Sequence, residues 1–301
     1  MITSFDQIFE KLKTNSKKRL IAAWAVDNHT INAVRLAVEA GIIDATLVGD
    51  EKIILQVCKE ESIDSSIFRI INNEVELSAV SMAVDLINAG EGDILMKGLC
   101  STDKYMRAIL NKEKGLLPPK AILSHVSVLS NPRYHKLIVF GDIAVIPAPD
   151  LPQKVAITNY VVKTAKSIGI EKPKVAIIAA TEQMLPGMQA CVDAAIISKM
   201  AERGQISGCI IDGPLALDVA ISAEAAEVKK LTSPVAGDAD CLVFPNLESA
   251  NVFYKTNTQL SPDIKLAAIV AGAKVPCVLS SRSDSIETKL NSIALAAITA
   301  R

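Results

Sequence analysis

Residues 279–289, LSSRSDSIETK, gather a hydroxyl, a guanidinium and two carboxylates into one short corner: Ser281, Arg282, Asp284 and Glu287. The residues before this corner read as the end of a buried strand, and those after it as the start of a helix. At such a junction the free backbone N–H groups and the positive helix end favour negative charge, so the corner suits work on an anionic group. The run Asp284-Ser285-Ile286-Glu287 carries two readings. In one it caps the helix, with Asp284 as the N-cap and Glu287 reaching back from the third position. In the other Glu287 accepts a proton during a reaction. The two are compatible if the cap loosens when a ligand binds.

Two more places could hold a ligand. Lys97 and Gly98 close the run DILMKG, and Asp212 and Gly213 close IIDG. Ligands of parallel sheets bind beyond the carboxyl ends of the strands, which is where both pairs fall. Asp212 also fits a simple cap on the following helix.

Other chemistries lack their residues. No GxGxxG follows a strand, and GxxxxGK[ST] is absent, so the glycine-rich phosphate loops are missing. His29, His125 and His135 show no HExxH spacing and no cysteine at ligand distance, so no metal site is expected. His125 sits inside the apolar run LSHVSVL, where an imidazole needs a partner. There is no GxSxG elbow. The cysteines at 58, 100, 191, 209, 241 and 277 form no CxxC pair, which fits an intracellular chain with reduced thiols. Cys100, Cys209 and Cys241 read as small buried residues rather than nucleophiles.

The elements that must position these groups alternate between two periods. RLIAAWA, ATLVG, ILMKG, KVAIIAA, GCIIDG, CLVFPN and AAIVAG are strand-like, and segments of helical period or turn residues follow them. Gly41 is placed to end the helix through TINAVRLAVEAG in the left-handed conformation. Several strands are apolar throughout, which marks a sheet covered on both faces and predicts an α/β fold with mainly parallel strands. The apolar stretch Leu266–Leu279 is broken by Lys274 and Pro276 and predicts two short buried strands. At 301 residues the chain suits two domains. Pro147, Pro149 and Pro152 cluster in IPAPDLPQK and predict a boundary there, with 1–147 plus 288–301 as one domain and 148–287 as the other.

Composition narrows the classes. Half of the residues are hydrophobic and the net charge is −1, which allows a large core and argues against a general nucleic-acid binder. Aromatic residues make up 4%, too few for base-stacking platforms. No run approaches the roughly 20 apolar residues of a membrane helix. The amino terminus has no uninterrupted apolar segment of the kind a signal peptide needs, so a cytoplasmic location is expected.

The segments RGQISGCIIDGPLALDVAISAEAA, SPVAGDADCLVFPNLESANVFYKT and LSSRSDSIETKLNSIALAA resemble the phosphate acetyl/butyryltransferase family, and within it the butyryl branch. MQACVDAAIISKM and MKGLCSTDKYMRAILNKEKGL share the likeness, which covers nearly the whole chain. The resemblance implies two α/β lobes around a cleft, on an isocitrate/isopropylmalate dehydrogenase-like scaffold, usually as a homodimer. It implies the exchange butyryl-CoA + phosphate = butyryl phosphate + CoA. CoA and acyl-CoA are then substrates, no cofactor is permanently bound, and neither nucleic acid nor a membrane is a partner.

Roles carry over from the family by position. Ser281 matches the serine that hydrogen-bonds the reacting carbonyl or thiol, and Arg282 the arginine that grips the phosphoryl group. Arg107 in TDKYMR matches an arginine contacting CoA or phosphate. Lys255 in NVFYKT, and Lys229 or Lys230 in EVKKLTS, resemble CoA-contacting lysines; read alone, each is an ordinary surface lysine. The acetyl-specific relatives place an aspartate base six positions after the arginine, where this chain has Thr288. Glu287 and Asp284 are the nearest acids, so the base is left open. Transfer is expected to be direct, in a ternary complex. The rival inside the family is acetyl exchange. Outside it stand a metal- and NAD-dependent decarboxylating dehydrogenase, whose aspartate and arginine clusters are not visible, and a silent binding protein.

Overall fold

The structure, a computed structural model, describes residues 2–279 and 284–300. The chain forms two compact units: a terminal unit of Phe5–Leu123 with Leu266–Arg301, and a middle unit of Met1–Ser4 with Ser124–Lys265.

The terminal unit begins with α1 (Phe5–Lys13), β1 (Lys18–Ala23), α2 (Asn28–Glu39), β2 (Ile43–Gly49), α3 (Glu51–Glu60), β3 (Phe68–Asn72), α4 (Glu76–Asn88), β4 (Ile94–Lys97) and α5 (Thr102–Ile109). The middle unit continues with β5 (Ser124–Ser130), β6 (Ile138–Gly141), α6 (Leu151–Ser167), β7 (Lys174–Ile178) and α7 (Gln189–Glu202). It ends with β8 (Ile210–Leu215), α8 (Leu217–Ile221), α9 (Ala223–Val228), β9 (Cys241–Val243) and α10 (Leu247–Leu260). β10 (Lys265–Ala271), β11 (Cys277–Val278) and α11 (Ile286–Thr299) return the chain to the terminal unit.

In the terminal unit the strands run in the order β3-β2-β1-β4-β11-β10. All neighbours are parallel except β10 and β11. In the middle unit the order is β5-β6-β9-β7-β8, with only the β5–β6 pair antiparallel. The expected mainly parallel α/β architecture is therefore observed; of the two short strands expected within Leu266–Leu279, β11 is short, whereas β10 begins at Lys265 and runs for seven residues.

Burial explains the uninterrupted apolar strands. Leu20, Ile21, Ala22 and Ala23 on β1 are all at most 1% exposed, so both faces of the strand are covered. On α11, Ile293 through Ala297 are buried, and the unit packs this helix against α2, whose Ile31, Ala33, Val34 and Ala37 are also buried. Each large aliphatic side chain removed from water in this way contributes about 1.5–3 kcal/mol. Gly41 ends α2 at φ +74°, as its position predicts.

The units divide elsewhere than at the proline cluster. Residues 147–152 lie inside the middle unit, and Pro152 occupies the first turn of α6, which Asp150 opens with a full capping box. Proline lacks an N–H that the first helical turn leaves unpaired in any case, so Pro152 sits at the start of a helix rather than at the end of a domain. The return to the terminal unit comes at Leu266 rather than at 288.

Candidate active site

β1 and β4 are in register, with Ala23 opposite Lys97, and β11 continues the row with Val278 opposite Met96. The carboxyl ends of three parallel strands are thus level. After β1 the chain turns sharply at Trp24, which takes a left-handed φ of +56°. Gly98 N–H donates to the Ala23 carbonyl at 2.9 Å and Leu99 N–H to the Trp24 carbonyl at 3.0 Å. A Cβ on Gly98 would lie 2.2 Å from the Trp24 oxygen, so only glycine lets the two turns pack. This close approach delivers Asp27 to the start of α2 beside Lys97.

A cavity of about 170 Å³ lies beyond these strand ends, lined by Asp27, His29, Thr30, Lys97, Gly98 and Lys289 among others. Lys97 and Lys289 are each only 4% exposed. Lys97 Nζ donates to the carbonyls of Gly98 and Cys100, both at 3.0 Å. Burial lowers the pKa of the Lys289 ammonium; the carboxylates of Asp284 and Asp27 pull it back up, and Lys97 adds to the lowering. Asp27 is the N-cap of α2, its Oδ1 accepting from Thr30 N–H at 2.9 Å. Its Oδ2 is buried without a hydrogen-bond partner. Of the four such side-chain atoms among the described residues, it alone belongs to a residue lining this cavity.

Several expected site residues can be placed. Lys97 and Gly98 line the cavity, and Asp284 acts electrostatically on Lys289 within it. Ser281 and Arg282 lie outside the described residues. The expected helix cap shifts by one position. Ser285, not Asp284, is the N-cap of α11, its Oγ accepting from Thr288 N–H at 3.1 Å. Serine and aspartate are about equally good caps, and the helix takes the second of two adjacent candidates. Glu287 then stands at the second helical position, exposed, and is not the partner in a capping box. Arg107 is 79% exposed and bonded to Asp103, one turn back on α5.

The remaining candidates belong to the middle unit. Lys229 ends α9 and pairs with Glu182 and Asp218, each at 3.2 Å. Lys230 follows at φ +52°. Lys255 Nζ lies 5.3 Å from the Tyr254 ring centre. Asp212 Oδ1 accepts from Gly213 N–H at 2.8 Å, a local role short of a helix cap. His125 finds its partner in Ser127, whose Oγ is 3.4 Å from Nδ1. This unit also has an apolar cavity of about 480 Å³ at the ends of β7 and β9, lined by Ile178, Leu217, Phe244, Val252 and Phe253 among others.

Asp27 and Lys289 were missed by sequence reading. DNHTINAV signals an N-cap at Asp27, but not that its second oxygen is enclosed. Lys289 falls within the apolar period of α11, a signal that it points inward.

Burial pushes the Cys100 thiol up to about 11 and Cys277 up to about 12, and it raises Cys209 and Cys241 as well. Thiols so disfavoured as thiolates are poor nucleophiles. Among the described residues no group of His, Cys, Asp and Glu could hold a metal, and no helix is long and apolar enough to cross a membrane.

Known proteins are similar to this chain in sequence. The family model for phosphate acetyl/butaryl transferase matches residues 67–297. A phosphate butyryltransferase of Clostridium acetobutylicum is 46% identical over 300 residues, covering 100% of this chain and 99% of the relative. A phosphate acetyltransferase of Thermotoga maritima is 40% identical, covering 97% and 98%. Among solved structures, a branched-chain phosphotransacylase from Enterococcus faecalis V583 superposes with a TM-score of 0.82 at 28% identity, covering 94% of this chain and 98% of that one.

Proposed function

This chain belongs to the phosphate acetyl/butaryl transferase family, and from that premise we propose that it exchanges a butyryl or similar short or branched acyl group between CoA and phosphate. The observation that carries this reading is the 46% identity to a phosphate butyryltransferase along the whole length of both chains. The acyl-CoA and phosphate are small-molecule substrates, and CoA comes and goes with each turnover rather than staying as a cofactor. A cytoplasmic homodimer is the expected form.

In the acyl-CoA-forming direction, the CoA sulfur bonds to the carbonyl carbon of the acyl phosphate, and the carbon–oxygen bond to phosphate breaks. The thiol must lose its proton, since only a few per cent is thiolate at neutral pH. Negative charge develops on the carbonyl oxygen and the departing phosphate. By resemblance, Ser281 donates to the first and Arg282 grips the second with its planar pair of N–H donors. Buried Lys97 and Lys289 add positive charge at the cavity beyond β1 and β4, which supports a site that handles phosphoryl groups.

The test is phosphate-dependent release of free CoA from acetyl-, butyryl- and isobutyryl-CoA, followed as thiol appearing. Butyryl or isobutyryl should turn over fastest, and Arg282→Ala should lower turnover about 10²- to 10³-fold while the fold survives. Preference for acetyl would overturn the acyl choice, and near-normal release by Arg282→Ala would overturn the role of that residue.

A further inference from the structure

We propose that Asp27 is the carboxylate that takes the proton from the CoA thiol, a role that Thr288, at the family aspartate position, cannot fill. The proposal rests on the acyl-exchange reading above. The family aspartate position is Thr288 here, and its N–H and hydroxyl are both engaged with Ser285. Glu287 is exposed on the outer side of the first turn of α11. Asp27 instead lines a cavity beyond the ends of β1 and β4, and its Oδ2 is buried and unpartnered among the described residues.

The geometry separates the two oxygens by task. Oδ1 is held by the N–H of Thr30 at 2.9 Å, which fixes the carboxylate at the start of a 12-residue helix. Oδ2 is left with its lone pairs unengaged, and a buried acceptor without a donor is costly, on the order of 1–3 kcal/mol. Such a cost calls for a compensating role, of which catalysis is one. The charged and titratable groups around it are His29 on its own helix, Lys97 at the end of β4, and Lys289 on α11 with Asp284 just before that helix. The two ammonium groups favour the anions on both sides of the step, thiolate and phosphate alike.

The step balances without any further reactant. Asp27 Oδ2 takes the thiol proton, the sulfur lone pair forms the bond to the carbonyl carbon, and phosphate leaves with the electrons of the broken carbon–oxygen bond. The proton then passes from Asp27 to solvent or to the departing phosphate. In the reverse direction protonated Asp27 returns the proton to the leaving thiolate.

Asp27→Asn keeps an oxygen to cap Thr30 N–H and removes the base, and Asp27→Ser keeps a shorter cap. Both should stay folded by circular dichroism and lose about 10²-fold or more in turnover of butyryl phosphate with CoA. The pH profile separates catalysis from support. The wild-type profile should bend downward at acid pH, as general-base catalysis requires. The Asn variant should lose that bend and rise steadily toward the thiol's own pKa of about 8.5. Turnover within threefold of wild type in both folded variants overturns the proposal. So does a loss of turnover with the acid bend retained, or unfolding of both variants, either of which assigns Asp27 to the cap alone. If the wild-type chain exchanges no acyl group at all, the acyl-exchange reading fails and this proposal with it. Activity in the wild type with normal variants removes only Asp27.

Discussion

Buried charge is treated in opposite ways in the two units. In the middle unit, Lys154 and Asp193 are 6% and 4% exposed and meet at 2.6 Å, and the other oxygen of Asp193 accepts from Gln189 Nε2 at 2.8 Å. Lys136, at 5% exposure, reaches Asp240 at 2.6 Å and Asp238 at 2.8 Å, while Asp240 Oδ2 accepts the backbone N–H of Lys174 at 2.7 Å. Both of these enclosed carboxylates have each oxygen engaged. In the terminal unit, Asp27 Oδ2 has no such partner among the described residues, and two buried lysines border the same cavity. Full pairing in a dry interior braces the fold, whereas an unpaired acceptor beside a cavity costs stability that only a ligand can restore.

The comparison breaks most easily at Asp193. Asp193→Ala leaves the Lys154 ammonium buried without its counter-charge, and the expected loss is about 3–5 kcal/mol of unfolding free energy. Urea denaturation of the two proteins measures it. A loss below about 1 kcal/mol would mean that water reaches Lys154, and the middle-unit pair could no longer stand for full enclosure. Asp27→Asn should show the reverse pattern, with turnover falling and the urea midpoint nearly unmoved.

A smaller effect comes from pH. Burial pushes the Asp238 carboxyl upward, but Lys136, Lys174 and His135 outweigh it and hold its pKa well below the usual carboxylate value. A carboxyl held low by the fold contributes stability that is whole above its unfolded pKa of about 3.9 and drains as pH falls toward the folded one. Because this side chain is 42% exposed, solvent screening limits the contribution to about 1 kcal/mol. Wild type should therefore lose more stability between pH 5 and pH 2 than Asp238→Asn does. Equal losses would show that the cluster around Lys136 adds nothing that depends on this charge.

The same contrast explains what could be read from the chain beforehand. β1, β4, β7 and β10 were visible because strands buried on both faces must be apolar throughout, and no competing signal interrupts them. The placement of Lys97 and Gly98 beyond a strand end followed from sheet geometry alone. The proline cluster misled because proline stops a helix from within but is welcome in its first turn, and residue types do not say which side of a boundary they stand on. The Ser285 cap was missed by one residue because Asp284 and Ser285 are nearly equal competitors. Asp27 could be read only as a cap. The cavity that it lines is shared with Lys97 and Lys289, which are remote in sequence and join it only through the parallel register of β1 and β4 and the return of α11.

Glu287 gives the smallest expected effect and the finest test of the contrast. It is the acid nearest in sequence to Thr288, the position of the family aspartate, yet it is exposed in the first turn of α11 and plays no part in the Ser285 cap. Its charge sits near the positive end of that helix, an interaction worth about 0.3–1 kcal/mol at an exposed position. Glu287→Gln should thus shift the urea midpoint by no more than that and leave turnover within threefold of wild type. A fall in turnover of tenfold or more at unchanged stability would move the proton acceptor from the enclosed oxygen of Asp27 to an exposed carboxylate. Enclosure would then no longer mark the reacting group in this unit.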